Sequence, residues 1–193
     1  MWHAQYGRIP RGGHPAGAIR CTPASPSYLL QRLSYGYNVI VTRTFSKLYG
    51  LAGLRVGYGI ARQDIIEILR RTQSPFHIGR LPLLAAMAAL DDHEHIAQSK
   101  QINSAGKQYL YRCFDEMGLQ YLPTEANYIL LINPPHDTRA IDAGMIRRGV
   151  IIRPATPFGL RDAIRITIGP APANEKMIAA LRETLAELNR GRA

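Results

Sequence analysis

Cysteine is scarce: Cys21 and Cys113 are the only two in 193 residues. Far apart in sequence, they match neither metal-ligand spacing nor a disulfide framework. They read as unpaired thiols in a reducing compartment. Long apolar runs are missing too. No stretch approaches the roughly 18 apolar residues of a membrane-crossing helix, and residues 1–8 lack the apolar core of a secretory signal. A soluble, cytoplasmic protein with no membrane partner is expected. Acids are few, 14 against 24 Lys and Arg, for a net charge of +10. Lysine is rarer still, with only Lys47, Lys100, Lys107 and Lys176. Residues 1–26 contain no acid and no hydrophobic period, and are rich in Gly, Pro, Arg and His. Such a segment buries too little apolar surface to offset its chain entropy, so it reads as a disordered leader.

A basic chain suits nucleic acid or small anions. Here adjacent basic residues occur only at Arg70-Arg71 and Arg147-Arg148, each ending a helical pattern. Positive charge complements the helix dipole at those ends. The aromatic-interleaved basic stripe of a single-strand binder is absent, so no nucleic-acid partner is expected. An apolar content of 46% is enough for a core, and the length suits one domain or parts of two.

Regular structure is expected from Ser27. A short helix covers Tyr28–Leu33, then a buried strand Asn38–Thr42, a glycine-punctuated loop from Thr44 to Leu54, and a second strand Arg55–Ile60. Asp64 is placed as the cap of a helix over Ile65–Arg71, which Ser74-Pro75 ends. Leu83–Leu90 is almost wholly apolar and is expected to be buried on all sides. A long helix runs from Asp92 to Met117, stopped by Gly118. Strand Asn127–Ile132, helix Thr138–Arg148, strands Gly149–Arg153 and Ala163–Ile168, and helix Asn174–Asn189 follow. Strands interleaved with helices indicate an α/β or α+β unit.

The loop from Thr44 to Tyr58 holds the chemistry. A scarce lysine, Lys47, lies in a glycine-rich turn between two apolar strands. It is expected to be partly desolvated, the condition that activates a Schiff-base lysine. Thr44 and Ser46 add hydroxyls, and Arg55 adds a planar fork of donors suited to phosphate. The alternative is a surface loop with a solvated lysine. Neither the Walker nor the dinucleotide glycine pattern fits. His93 and His95 are not expected to bind metal, because positions i and i+2 of a helix do not share a face.

Ser46-Lys47, followed by Gly50-Leu51-Ala52-Gly53-Leu54-Arg55-Val56-Gly57-Tyr58, resembles the cofactor-attachment signature of class I/II aminotransferases dependent on pyridoxal 5'-phosphate (PLP), of fold type I. The resemblance implies that Lys47 carries PLP and shuttles the proton between the substrate α-carbon and the cofactor. It gives Ser46 and Arg55, with Thr44, to the PLP phosphate. The likeness runs from Asn38 to the C-terminus. Asp91-Asp92-His93-Glu94-His95, Tyr109-Leu110-Tyr111-Arg112, Gly118-Leu119 and Thr124-Glu125-Ala126-Asn127-Tyr128 resemble the histidinol-phosphate branch. Gly149-Val150-Ile151-Ile152-Arg153-Pro154 and Ile164-Arg165-Ile166-Thr167-Ile168-Gly169 match its substrate end. By the resemblance Arg165 pairs with a substrate carboxylate and Arg153 with a substrate phosphate. The alternative for Arg153 is a solvent-facing strand end. Asn127 is either near the active site or a turn residue at a strand start.

The implied fold is α/β, the PLP-transferase (aspartate aminotransferase-like) fold, represented by its C-terminal half. Residues 1–26 would be the non-matching leader, 27–90 the end of the PLP-binding large-domain sheet, and 91–193 the small α/β domain. The acidic strand that precedes the lysine in the family is not found in residues 1–26. Without the acid that pairs with the pyridine nitrogen, weak activity is expected of the chain by itself. The implied partners are an amino acid or amino-alcohol phosphate, a 2-oxo acid, and a second subunit of a homodimer. A threonine-phosphate decarboxylase and other amino-acid aminotransferases share these motifs. From other classes, a non-catalytic remnant or a basic nucleic-acid-binding module is the rival.

Overall fold

The computed structural model describes residues 38–191. The expected leader at 1–26 and the short helix over Tyr28–Leu33 lie outside the described residues. The chain divides into two compact units at His93 and Glu94.

In the first unit, β1 (Val41–Thr44) pairs antiparallel with β2 (Gly57–Ile60), with Val41 opposite Ile60 and Thr44 opposite Gly57. The second strand starts later than expected. Arg55 takes a left-handed conformation, φ 53°, and cannot join the ladder. Two helices follow, α1 (Gln63–Thr72) and α2 (Arg80–Asp91). Asp64 does not cap α1: it lies in the first turn, where its carboxylate pairs with Arg62. That placement still suits the positive end of the helix dipole.

Helix α2 departs most from expectation. Only Ala86 is buried, while Leu81, Leu83, Leu84, Met87 and Leu90 are 46–77% exposed. The pattern that predicts burial on all sides is present in the sequence, but this unit's core is too small to cover it. That core comprises Phe45, Val56 and Ala86, with Tyr49, Leu51, Ile78 and Ala89 packed against them.

The second unit is a four-stranded antiparallel sheet under three helices. Helix α3 (His93–Glu116) leads through a turn at Gly118, φ 65°, into β3 (Gln120–Leu122), a strand that sequence reading missed. Next come β4 (Tyr128–Ile132), α4 (Thr138–Arg147), β5 (Arg153–Pro154), β6 (Ala163–Thr167) and α5 (Ala171–Arg190). The strand order is β3-β4-β6-β5. Sequence alternation left α/β and α+β open; every strand pair among the described residues is antiparallel. Asp137 caps α4 by accepting from the N–H groups of Arg139 (2.8 Å) and Ala140 (3.3 Å).

The period of two in β4 and β6 decides which face is covered. Ile129, Leu131, Ile164 and Ile166 point into a core shared with Leu110 and Phe114 of α3, Ile141 and Met145 of α4, and Ile178 and Leu181 of α5. Cys113 is a free thiol within that core. Tyr128, Leu130 and Arg165 alternate onto the other face, which is only partly buried. The expected strand Gly149–Arg153 is reduced to Arg153–Pro154. Gly149 (φ 68°) and Val150 are still closing α4, donating to Ile146 O (2.9 Å) and Met145 O (3.0 Å).

Candidate active site

Each unit carries one set of the candidate residues. In the first, the loop between β1 and β2 is fastened by Phe45. Its ring is buried, its N–H donates to Val56 O (3.1 Å), and its carbonyl accepts from Leu51 N–H (3.0 Å). Those two bonds fix both ends of the loop. Gly50, at φ 70°, closes a turn by donating to Lys47 O (2.9 Å). Ser46 N–H donates to Thr44 Oγ1 (3.0 Å), which leaves the Thr44 hydroxyl proton free to donate elsewhere. The Arg55 guanidinium donates to Ala52 O (2.8 Å) and reaches Ser46 Oγ at 3.5 Å.

The structure therefore brings Thr44, Ser46 and Arg55 together around the backbone of Lys47. Two hydroxyls and a guanidinium fork form a donor set that fits a phosphate monoester, and Lys47 directly follows Ser46 in the chain. The left-handed Arg55 represents roughly 1–3 kcal/mol of local strain. Gly57 tolerates no side chain: a Cβ there would stand 2.6 Å from Arg43 O. One expectation is corrected. Lys47 is exposed rather than partly desolvated, because this small unit supplies no atoms to cover its side chain.

In the second unit, Arg153 of β5 lies directly opposite Arg165 of β6. Two like charges face each other across an antiparallel pair, which is unfavourable without an anion. Arg165 Nε is buried and has no hydrogen-bond partner among the described residues. The Arg165 guanidinium sits 4.8 Å from the centre of the Tyr128 ring, and that of Arg153 sits 5.2 Å from the Phe158 ring. Asn127 is in the bend just before β4, half-buried, and its carbonyl accepts from Ile168 N–H (2.8 Å). That bond ties it to the end of the strand bearing Arg165.

A family description, "Aminotransferase class I and II", matches residues 12–183. The chain belongs to this family. The match starts inside the 1–26 segment that sequence reading set apart. A histidinol-phosphate aminotransferase of Moorella thermoacetica is 49% identical over 149 residues, 77% of this chain and 38% of that protein. Among solved structures, a putative aminotransferase of Burkholderia pseudomallei is 33% identical with a TM-score of 0.70, covering 75% of this chain and 44% of that one. The histidinol-phosphate aminotransferase of Sinorhizobium meliloti, solved in complex with pyridoxal-5'-phosphate, is 30% identical with a TM-score of 0.70, covering 77% and 41%. The aminotransferase chain described here thus spans about two-fifths of the length of the relatives it matches, and corresponds to their C-terminal portion.

Two residues of the site are not evident from sequence: Tyr128 and Phe158. They are recognisable only once register is known, since nothing in sequence spacing puts a ring beside a particular guanidinium.

Proposed function

We propose that this chain supplies the cofactor lysine and the substrate-binding arginines of a PLP-dependent aminotransferase. The reaction proposed is exchange of the amino group between histidinol phosphate and 2-oxoglutarate, in histidine biosynthesis. The observation that carries this is the Lys47 loop, where the Arg55 guanidinium reaches Ser46 Oγ immediately before the lysine. The choice of substrate rests on the names of the relatives.

When bound, PLP supplies an electron sink for charge left at the substrate α-carbon. The chain's own residues do the remainder. Ser46, Thr44 and Arg55 would grip the cofactor phosphate through hydroxyls and a charged fork. Lys47 Nζ would hold the cofactor covalently and would move the proton between the substrate α-carbon and the carbon of the cofactor that bears the amino group. Arg165 would bind a carboxylate of the 2-oxo acid and Arg153 the phosphate of histidinol phosphate, with Asn127 beside the substrate. A guanidinium is suited to both tasks, because its planar donors meet an oxyanion in pairs.

We assign 27–90 to the cofactor-binding domain and 91–193 to the small domain, and we propose a cytoplasmic homodimer acting on small molecules. Among the described residues, no helix is long and apolar enough to cross a membrane.

Titration of the purified chain with PLP, followed by borohydride reduction and peptide mapping, tests the reading. Absorbance in the visible and a pyridoxyl label confined to Lys47 are expected. Label spread over Lys100, Lys107 and Lys176 as well would overturn it. Carbon dioxide release from threonine phosphate would instead mark a decarboxylase.

A further inference from the structure

The arginines of this chain differ in the company they keep. Among the described residues, Arg62 pairs with Asp64, Arg147 with Glu187, Arg148 with Glu183 and Glu187, and Arg182 with Glu116. Arg153 and Arg165 have aromatic rings where those four have carboxylates. The distinction matters chemically. A carboxylate orients a guanidinium and also neutralises it. A ring attracts the cation through its quadrupole and leaves the full charge, and the N–H edge, available to an incoming anion.

The backbone places both rings deliberately close. Arg165 is opposite Leu130 in the β4–β6 register, and Tyr128 is the diagonal neighbour two residues along on the same face. Phe158 comes back toward Arg153 through a tight turn between β5 and β6. In that turn Phe158 N–H and Leu160 N–H both donate to Ala155 O (2.9 and 3.3 Å), and Gly159 takes φ 82°. Phe158 itself is 59% exposed. Core packing therefore does not account for an aromatic residue there.

We propose that Tyr128 and Phe158 are positioning residues for the anionic end of the substrate: their rings hold the Arg165 and Arg153 guanidinium groups in place without neutralising them. This rests on the reading of those two arginines as an anion site. It adds the prediction that affinity for a phosphate monoester depends on aromatic character at 128 and 158, not on the Tyr128 hydroxyl.

The full chain, labelled with 15N-arginine, would be titrated with inorganic phosphate while the side-chain Nε–H signals are followed. Arg153→Lys and Arg165→Lys variants assign the two signals, and sodium chloride at equal ionic strength is the control. Wild type should show both signals moving with phosphate and not with chloride. Tyr128→Leu and Phe158→Leu should each weaken phosphate binding roughly two- to fivefold, the size of an exposed cation–π contact. Tyr128→Phe and Phe158→Tyr should restore it. Leucine variants that titrate like wild type would overturn the proposal, as would Tyr128→Phe binding as weakly as Tyr128→Leu. A wild-type chain that responds to chloride and phosphate alike would overturn the anion-site reading beneath it as well. Phe158→Leu, at an exposed position, keeps the test decisive if Tyr128→Leu disturbs the sheet.

Discussion

Replacing Asn174 should cost the second unit more than its size implies. The side chain is 2% exposed and bonds to both polar groups of Gly169, accepting from its N–H at 2.9 Å and donating to its carbonyl at 2.7 Å. Asn174→Ala removes two intramolecular hydrogen bonds of about 0.5–1.5 kcal/mol each and leaves two backbone groups poorly satisfied, at about 1–3 kcal/mol for a fully buried one. Gly169 is only half-buried, so water recovers part of that, and a loss of roughly 2–3 kcal/mol is expected. With a urea m-value of about 1–3 kcal/mol/M, the unfolding midpoint followed by far-UV circular dichroism should fall by roughly 0.7–3 M. Asn174→Asp keeps the acceptor but sets a carboxylate against the Gly169 carbonyl, so at neutral pH it should be no better than alanine. That repulsion raises the folded carboxyl above its unfolded value, so the penalty should be relieved as pH falls through the folded value and the acid becomes a donor. Gly106→Ala attacks the same contact from α3, since its Cβ would lie 2.7 Å from Asn174 Nδ2 and 3.0 Å from Gly169 O. The double variant with Asn174→Ala should be less than additive. A midpoint shift below roughly 0.3 M for Asn174→Ala, or strict additivity with Gly106→Ala, would refute the reasoning.

Three further outcomes are expected. Gly57→Ala, whose Cβ would meet Arg43 O at 2.6 Å, should splay β2 from β1 and abolish selective PLP labelling of Lys47, read by peptide mapping. Glu187 lies below the usual carboxylate range, held there first by its hydrogen bond from Arg148 and then by the charge of Arg147. Its contribution is present above the unfolded value and lost as pH falls below about 4.3, so Glu187→Gln should flatten the acid limb of a stability-versus-pH curve. Leu83→Lys with Met87→Lys should reduce binding of a hydrophobic dye without changing helix content, because both side chains are already more than half exposed.

Sequence was most informative where local chemistry acts alone. The Lys47 loop was legible because its residues are contiguous, and the runs Asn127–Ile132 and Ala163–Ile168 each read as a strand within one residue of β4 and β6. It failed where the outcome depends on neighbours. Gly149–Arg153 is β-branched enough to look like a strand, but its first residues are consumed in ending α4. Asp64 looks like a cap until Arg62 pairs with it. The Arg153–Arg165 juxtaposition comes from register across two strands, which residue identity alone does not fix. Leu83–Leu90 is a sharper case: its composition predicts a helix buried on all sides, yet only Ala86 is buried and the described residues around it furnish no core for the others.

That mismatch bears on the cofactor loop itself. Phe45, which ties down both ends of the loop, packs on Val56 and on Ala86 of α2. The segment holding Lys47 therefore leans on a helix that buries only Ala86. A helix of 12 residues with one buried side chain has little tertiary support, and isolated helices of that length are marginal in water. By contrast, Leu110, Phe114, Ile129 and Leu181 are at most 1% exposed and share one core. Amide hydrogen exchange should then separate the two units. The amides of Leu84 and Met87 should exchange through local opening, with the Lys47 loop loosening alongside them, while those of Leu110 and Leu181 exchange only on global unfolding of their unit. Adding PLP should slow exchange in the loop and, through Phe45 and Ala86, in α2. Equal protection of Met87 and Leu110 without PLP, independent of protein concentration, would mean that α2 is held by something other than the side chains seen around it, and the link between its opening and the lysine loop would fall.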